Sequence, residues 1–238
     1  MPSALITGAN RGIGLELTRQ YVGDGWSVYA TCRNPDAADE LKAIGGPLRV
    51  LAMDVSDLDQ VRAAAKALER VAIDVLINNA GTIDAQSYGT VAYEKVDDPD
   101  LRNYDYDEWI RVLQTNLLGP ARVCGEFVDH LAAGERPIAV MMSSGIGSIA
   151  NTWQAGRYAY RTSKAGLNML TRGIGPWYEQ QGIIIVSISP GWTRTGMGGS
   201  EGVNSAEQAA SGVRKVIASA TKADTGKFFN FDGAIIPW

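Results

Sequence analysis

The 238-residue chain has a single histidine, His130. That scarcity excludes a zinc, iron or copper site built from several imidazoles. It also argues against a Ser-His-Asp hydrolase, because His130 would have to be the base. Cys32 and Cys124 are the only cysteines, too few for a four-cysteine metal site or a disulfide framework. Two isolated thiols suit a reducing compartment. No apolar run approaches the roughly 20 residues that span a bilayer. No block of five or six like charges occurs, the nearest being the acidic stretch 97–107. With 22 basic against 26 acidic residues the net charge is −4, which offers no attraction to nucleic acid or an anionic membrane. A strand-like run at 3–7 leaves no room for a signal or transit peptide, so a cytoplasmic protein is expected. Its chemistry must come from hydroxyls, amines, carboxylates or a borrowed cofactor.

What is present is a rhythm. Short runs rich in Val and Ile stand at 4–7, 27–32, 48–53, 75–78, 137–142, 183–188 and 227–231. Such runs read as strands buried on both faces, as parallel sheets require. Between them lie helix-like stretches such as 57–70, where Leu58, Val61, Ala65 and Leu68 recur at helical spacing. Seven strands alternating with six helices predict an α/β fold, a doubly wound parallel sheet with helices on both faces. No linker divides the chain, so residues 1–238 are expected to form one dinucleotide-binding and catalytic domain. The polar stretch 82–106 is expected to be a surface excursion. Arg-Gly-Ile-Gly occurs at 11–14 and again at 172–175, but only the first copy follows a strand.

The first strand runs into Thr7-Gly8-Ala9-Asn10-Arg11-Gly12-Ile13-Gly14, followed by an amphipathic segment. Glycines there permit a tight turn, close approach of backbone to phosphate, and close helix–strand packing. The helix N-terminus offers free N–H groups to a pyrophosphate. The spacing is Gly-x-x-x-Gly-x-Gly, which differs from the general dinucleotide fingerprint.

This loop resembles the signature of the short-chain dehydrogenase/reductase family. Four further motifs match in order: Asp54, Asn78-Asn79-Ala80-Gly81, Tyr160-Arg161-Thr162-Ser163-Lys164 and Pro190-Gly191. The resemblance spans essentially the whole chain. Within the family, Thr-Cys-Arg-Asn at 31–34 and Pro-Gly-Trp at 190–192 look most like the carbonyl reductase and C-factor-like branch. It implies a single-domain Rossmann fold and a nicotinamide cofactor held by Gly8, Asn10, Arg11, Gly12, Ile13 and Gly14. Asp54 and Val55 would contact the adenine, and Asn79, Ala80 and Gly81 would let backbone approach the ribose. Pro190, Gly191, Thr193 and Thr195 would bind the carboxamide and phosphate.

An acid ending the second strand would select NAD. Cys32 holds that place and Arg33 follows. A guanidinium binds a 2′-phosphate that a carboxylate would repel, and Arg11 can reach it from the glycine loop. NADP(H) is therefore expected.

Tyr160 and Lys164 are four apart, hence neighbours on one helix face. A nearby ammonium and an oxidised nicotinamide both favour phenolate and are expected to lower the tyrosine pKa toward working pH. The resemblance makes Tyr160 the acid/base and Lys164 its tuner and ribose ligand. It makes Ser144 the serine that holds the substrate oxygen, with Ser143 and Ser148 as alternatives. Ser144 lies sixteen residues before Tyr160, a few more than is common in the family, which suggests a longer loop, 149–156, over the substrate. Asn116 precedes Pro120 by four residues within a helix-like run, 107–131. Proline lacks an N–H, so the Asn116 carbonyl should lose its partner and the helix should kink. A buried carbonyl so freed needs another partner, usually water. The family's fourth catalytic residue is this asparagine.

Only about ten residues separate Thr195 from the next helix-like segment, and Gly196, Gly198, Gly199 and Gly202 fall among them. They suggest a short glycine-rich lid and an open site, lined by Trp153, Tyr158, Trp192 and Met197. The expected activity is NADP-dependent reduction of a ketone or aldehyde. The alternative is a C-factor-like regulatory protein with little turnover. A halohydrin dehalogenase would replace the lysine by arginine and fill the cofactor loop, and an enoyl reductase would space tyrosine and lysine further apart. A homodimer or homotetramer is expected through helices around 107–131 and 158–180. No metal is expected, and His130 reads as a helix-end residue outside the chemistry.

Overall fold

The structure is a computed structural model that describes residues 1–84 and 99–238. Most of the stretch 82–106 therefore lies outside the described residues. Seven strands, β1 (Ser3–Thr7), β2 (Ser27–Cys32), β3 (Leu48–Ala52), β4 (Val75–Asn78), β5 (Ile138–Met142), β6 (Ile184–Ser189) and β7 (Lys227–Asn230), form one sheet. Their order is β3-β2-β1-β4-β5-β6-β7, and every pairing is parallel. Each expected strand is present, with ends shifted by at most a residue. The sequence made this legible because β1, β4, β5 and β6 are buried along their whole length, so both faces had to be apolar.

Alternate residues feed the two layers, as the two-residue period of a strand demands. Ala4 and Ile6 of β1, with Ile138, Val140 and Met142 of β5, face one core. That core is covered by α1 (Gly12–Gly23) and α8 (Ala206–Ser219) through Leu15, Leu17, Tyr21, Val213 and Ile217. Leu5, Ala139 and Met141 face the other. There α3 (Leu58–Ala67), α5 (Gly119–Glu126) and α7 (Tyr158–Gln180) supply Val61, Val123, Leu167 and Tyr178.

The described residues hold eight α-helical segments rather than six helices. The two extra pieces come from breaks in the run 107–131, while the crossover from β2 to β3 holds only a single turn, α2 (Asp39–Lys42). That run is not one kinked helix. It comprises α4 (Tyr106–Leu113), a π-helical turn (Gln114–Leu118), α5 and α6 (Val128–Ala132). Pro120 sits in the first turn of α5, where a missing N–H costs nothing. The irregularity is taken up by a wide turn around Asn116, a form that recurs at functional sites.

The strand order reverses at β1, between β2 and β4. In doubly wound sheets the crevice beyond the carboxyl ends of such strands is where ligands bind. The glycine loop and the 79–84 segment both leave the sheet there.

Candidate active site

The glycine loop is held by its neighbours. Gly8 has φ +65°, and a Cβ there would lie 2.8 Å from Ala80 Cα. At Gly14 an added Cβ would fall on Asn79 Nδ2 and lie 2.5 Å from Gly8 O. Asn79 spends its amide on this loop, donating to Thr7 O (2.9 Å) and Gly8 O (3.1 Å). The Ala80 N–H donates to Thr7 Oγ1 at 2.9 Å. β1 and β4 are thus laced together beneath the loop. Thr195 stands opposite: a Cβ on Gly12 would be 3.4 Å from Thr195 Cγ2. This narrow cradle, bounded by backbone at the start of α1, fits a pyrophosphate.

Around the adenosine end, β2 finishes on buried Cys32 and exposed Arg33, so no carboxylate is offered there. Arg11 and Arg33 are exposed, and neither side chain makes a hydrogen bond or ion pair among the described residues. Asp54 Oδ1 accepts from Ser56 N (2.9 Å) and Ser56 Oγ (2.6 Å). The chemistry of these residues fits a nicotinamide dinucleotide.

Tyr160 lies in the first turn of α7. Its hydroxyl lies near the Ser144 side chain, which favours its ionised form. Burial pushes Tyr160 up to about 12, opposed by the Ser144 contact. In the protein alone, desolvation of the phenolate outweighs the Ser144 contact. Lys164 is itself buried and pulled down to about 8 by desolvation. Its ammonium sits 5.6 Å from the Tyr160 ring centroid and donates to Met142 O at 2.8 Å.

Asn116 is fully buried. Its Oδ1 accepts from Thr82 N (2.8 Å), and its Nδ2 donates to Thr82 O (2.8 Å) and Ser163 Oγ (3.0 Å). Ser163 Oγ in turn donates to Tyr160 O at 2.7 Å. A Cβ on Gly81 would lie 3.5 Å from Asn116 Oδ1 and 3.8 Å from Lys164 Nζ, so these groups share one small space. Sequence reasoning missed Ser163 and Asn168. Asn168 Oδ1 accepts from Ser143 Oγ (2.6 Å) and its Nδ2 donates to Gly147 O (3.2 Å), clamping the loop on both sides of Ser144. Its spacing, four residues after Lys164, was the available signal.

A cavity of about 320 Å³ lies against these residues, lined by Tyr160, Ser144, Ile13, Trp192, Met197 and Thr195 among others. The three candidate serines are placed differently. Ser144 faces the cavity and Tyr160. Ser143 also borders the cavity, but its hydroxyl is committed to Asn168, and Ser148 donates to Pro237 O at 2.6 Å.

Two expected lining residues lie elsewhere. Trp153 is 82% exposed and does not border the cavity. Tyr158 packs on Tyr104 and Trp109, with its hydroxyl toward Pro99 O; two residues from Tyr160 on a helix, it points away. The loop 149–156 is likewise not over the cavity. The Ala150 N–H donates to Trp238 O at 2.8 Å, which anchors the loop to the C-terminal stretch. That stretch contributes Ile236 to the cavity, which no sequence signal announced. The glycine-rich segment after Thr195 is packed down: Trp192 Nε1 donates to Gly198 O (2.8 Å), and the Gly199 N–H to Thr195 O (3.0 Å).

His130 stands in α6, with Nε2 3.2 Å from Ala65 O and its ring against Phe127. It borders nothing in the cavity. No helix among the described residues is long and apolar enough to cross a membrane. No group of three or more His, Cys, Asp or Glu able to hold a metal ion occurs among them.

Comparison with known proteins agrees with this geometry. Residues 2–206 match the family model for short chain dehydrogenase. An uncharacterised oxidoreductase of Schizosaccharomyces pombe is 32% identical over 257 aligned positions, covering 98% of this chain and 96% of that one. C-signal of Myxococcus xanthus is 33% identical, covering 70% of this chain and 93% of that one. Among solved structures, NADPH-bound carbonyl reductase from chicken fatty liver superimposes with a TM-score of 0.89 at 29% identity, covering 100% and 99% of the two chains.

Proposed function

Because the chain belongs to the short-chain dehydrogenase family of oxidoreductases, we propose that it is an NADP-dependent carbonyl reductase acting on a small ketone or aldehyde. The observation that carries this reading is a cavity bordered by Tyr160, Ser144 and Ile13 of the glycine loop, with the buried Lys164 ammonium 5.6 Å from the Tyr160 ring centroid.

When bound, the reduced nicotinamide supplies a hydride to the carbonyl carbon. Tyr160 carries its proton at neutral pH, because burial keeps it far from ionisation, and gives that proton to the substrate oxygen. Ser144 donates a hydrogen bond to the same oxygen and orients it. Lys164, across the ring face, favours the phenolate left behind. Asn116 and Ser163 hold the start of α7 in place. Gly8, Asn10, Arg11, Gly12, Ile13 and Gly14 bind the pyrophosphate side, and Asp54, Val55, Asn79, Ala80 and Gly81 the adenosine and ribose. Pro190, Gly191, Thr193 and Thr195 bind the carboxamide side. Arg11 and Arg33 select the 2′-phosphate. The chain works as one domain in the cytoplasm, as a homodimer or homotetramer. Self-association would use α4, the π-helical turn after it and α7, which leave Ile110, Leu118, Met169 and Trp177 exposed.

The test is oxidation of NADPH and NADH against a panel of carbonyl compounds, with Tyr160→Phe as control. Turnover that favours NADPH and collapses in Tyr160→Phe supports the reading. A preference for NADH overturns the role of the two arginines. Tight NADPH binding with no turnover favours the regulatory reading suggested by the similarity to C-signal.

A further inference from the structure

One wall of the cavity comes from a part of the chain far from every motif. After β7 the chain turns at Gly233, which has φ +90° and donates its N–H to Asn230 O at 2.9 Å. It then runs back antiparallel to β7. The Asn230 N–H donates to Ala234 O (2.7 Å), Ile235 pairs with Phe229, and the Ile236 N–H donates to Phe228 O (2.8 Å). Side chains alternate along extended backbone. Ile235 is 65% exposed, so Ile236 is turned the other way, and Ile236 borders the cavity. Trp238, two residues on, stacks its ring on buried Phe228 at 5.5 Å between centroids.

The stretch is fastened on its other side as well. Ser148 is fully buried. Its hydroxyl donates to Pro237 O at 2.6 Å, and the Ala150 N–H donates to Trp238 O at 2.8 Å. Ser148 follows directly on the turn Gly145–Gly147. That turn is pressed on α7, since a Cβ on Gly147 would lie 2.7 Å from Lys164 Cβ. Ile236 is thus tied to the short segment that carries Ser144, and the wall is held fixed relative to the hydroxyl that orients the carbonyl oxygen.

Position tells which ligand the wall meets. β7 is the edge strand, four places from β1 in the sheet, or roughly 19 Å at the usual strand spacing. The dinucleotide cradle begins at the end of β1, so Ile236 borders the cavity from the side remote from it. Ile146, Trp192 and Met197 border the same cavity and extend this hydrocarbon surface. At about 320 Å³ the space stands at the small end of ligand pockets, so one aliphatic side chain decides what fits.

We infer that Ile236 is the specificity-determining residue for substrate size, and that the substrate is a ketone or aldehyde whose outer substituent is a compact hydrocarbon group. Ser148 is the positioning residue that holds this wall in place. The inference rests on the carbonyl reductase reading of the site.

The experiment compares cyclohexanone with 4-tert-butylcyclohexanone, using wild type, Ile236→Ala, Ile236→Phe and Ser148→Ala, each checked for unfolding temperature and NADPH affinity. The ratio of the two kcat/KM values removes any general loss of activity. Wild type is expected to favour cyclohexanone by at least about tenfold. Ile236→Ala should reduce that preference by about tenfold or more, Ile236→Phe should increase it, and both should keep their affinity for NADPH. Ser148→Ala should relax the preference through the KM of the bulky ketone, whereas a purely structural loss would lower both ketones together. A wild type that takes both ketones alike, or an unchanged ratio in Ile236→Ala, overturns the inference. A wild-type ratio in Ser148→Ala overturns the positioning role. If no carbonyl compound is reduced, the reductase reading fails, and binding judges the wall by itself. Cyclohexanol and 4-tert-butylcyclohexanol are titrated into the protein while tryptophan fluorescence is followed. Affinity for the bulky alcohol that rises about tenfold or more in Ile236→Ala, with that for cyclohexanol unchanged, sustains the wall; no binding, or an equal change for both, refutes it.

Discussion

Replacing Gly14 by alanine tests the architecture that presents the cofactor cradle. The new Cβ would fall on Asn79 Nδ2, 2.5 Å from Gly8 O and 3.1 Å from Ala9 Cα. Two of these are backbone atoms of the loop, so relief must come from moving the loop or withdrawing Asn79. Withdrawal breaks the bonds from Asn79 to Thr7 O and Gly8 O, at about 1 kcal/mol each. Residual overpacking adds roughly 1–2 kcal/mol. The expected loss is about 3–4 kcal/mol, which for a domain of this size lowers Tm by roughly 6–16 °C. Gly23, in the last turn of the same helix, provides the contrast, because a Cβ there meets nothing within 4 Å. Its replacement by alanine should be neutral or stabilise by up to about 1 kcal/mol. Thermal unfolding followed by circular dichroism, with and without NADPH, decides. Gly14→Ala should also shrink the rise in Tm that NADPH produces. If both variants melt alike, or if Gly14→Ala retains the full NADPH increment, the close packing at Gly14 does not shape the cradle.

Three other outcomes follow from named contacts. Lys164 is held near 8 by burial while an unfolded lysine titrates near 10.4. Between those values the unfolded chain binds more protons, so wild-type stability rises with pH relative to Lys164→Met, by on the order of 3 kcal/mol in total; parallel urea-denaturation curves from pH 7 to 10.5 would contradict this. Tyr160, raised to about 12, acts in the opposite direction above pH 10, but it is present in both proteins. Ser144→Ala should lower kcat about a hundredfold or more, whereas Ser143→Ala should cost roughly 1 kcal/mol of stability and change kcat by less than about tenfold, as read by steady-state kinetics. His130→Gln should leave turnover nearly unchanged, and a hundredfold loss would place an unrecognised role on that helix.

Local sequence was a sufficient guide wherever one residue's neighbours in the chain are also its neighbours in space. The strands were legible because burial on both faces forces continuous apolar runs, and the glycine loop because its turn and approach are local. Helical spacing placed Tyr160 and Lys164 on one face, and the neighbouring motifs marked the pair out. The Tyr160 pKa was not legible, since it depends on how completely the rest of the fold removes water from the hydroxyl. The choice among Ser143, Ser144 and Ser148 depended on Asn168 and Pro237, which take two of the three hydroxyls and lie 25 and 89 residues away. Trp153 and Tyr158 failed as lining residues because hydrophobicity near a motif says nothing about which way a side chain points.

The scarcity of histidine and cysteine, the seven apolar runs and the ordered motifs determined by themselves the fold class and the kind of chemistry. The fold class follows from short-range periodicity and the kind of chemistry from the family resemblance that the motifs carry, and neither needs a tertiary contact to read. Tertiary structure decided which serine hydroxyls are taken by Asn168 and Pro237, how far burial desolvates the Tyr160 hydroxyl, and that Arg157 and Ile236 border the same cavity as Tyr160. Each of those is a statement about desolvation or approach between segments distant in the chain or turned by an unusual backbone angle, and only the packed molecule sets such distances.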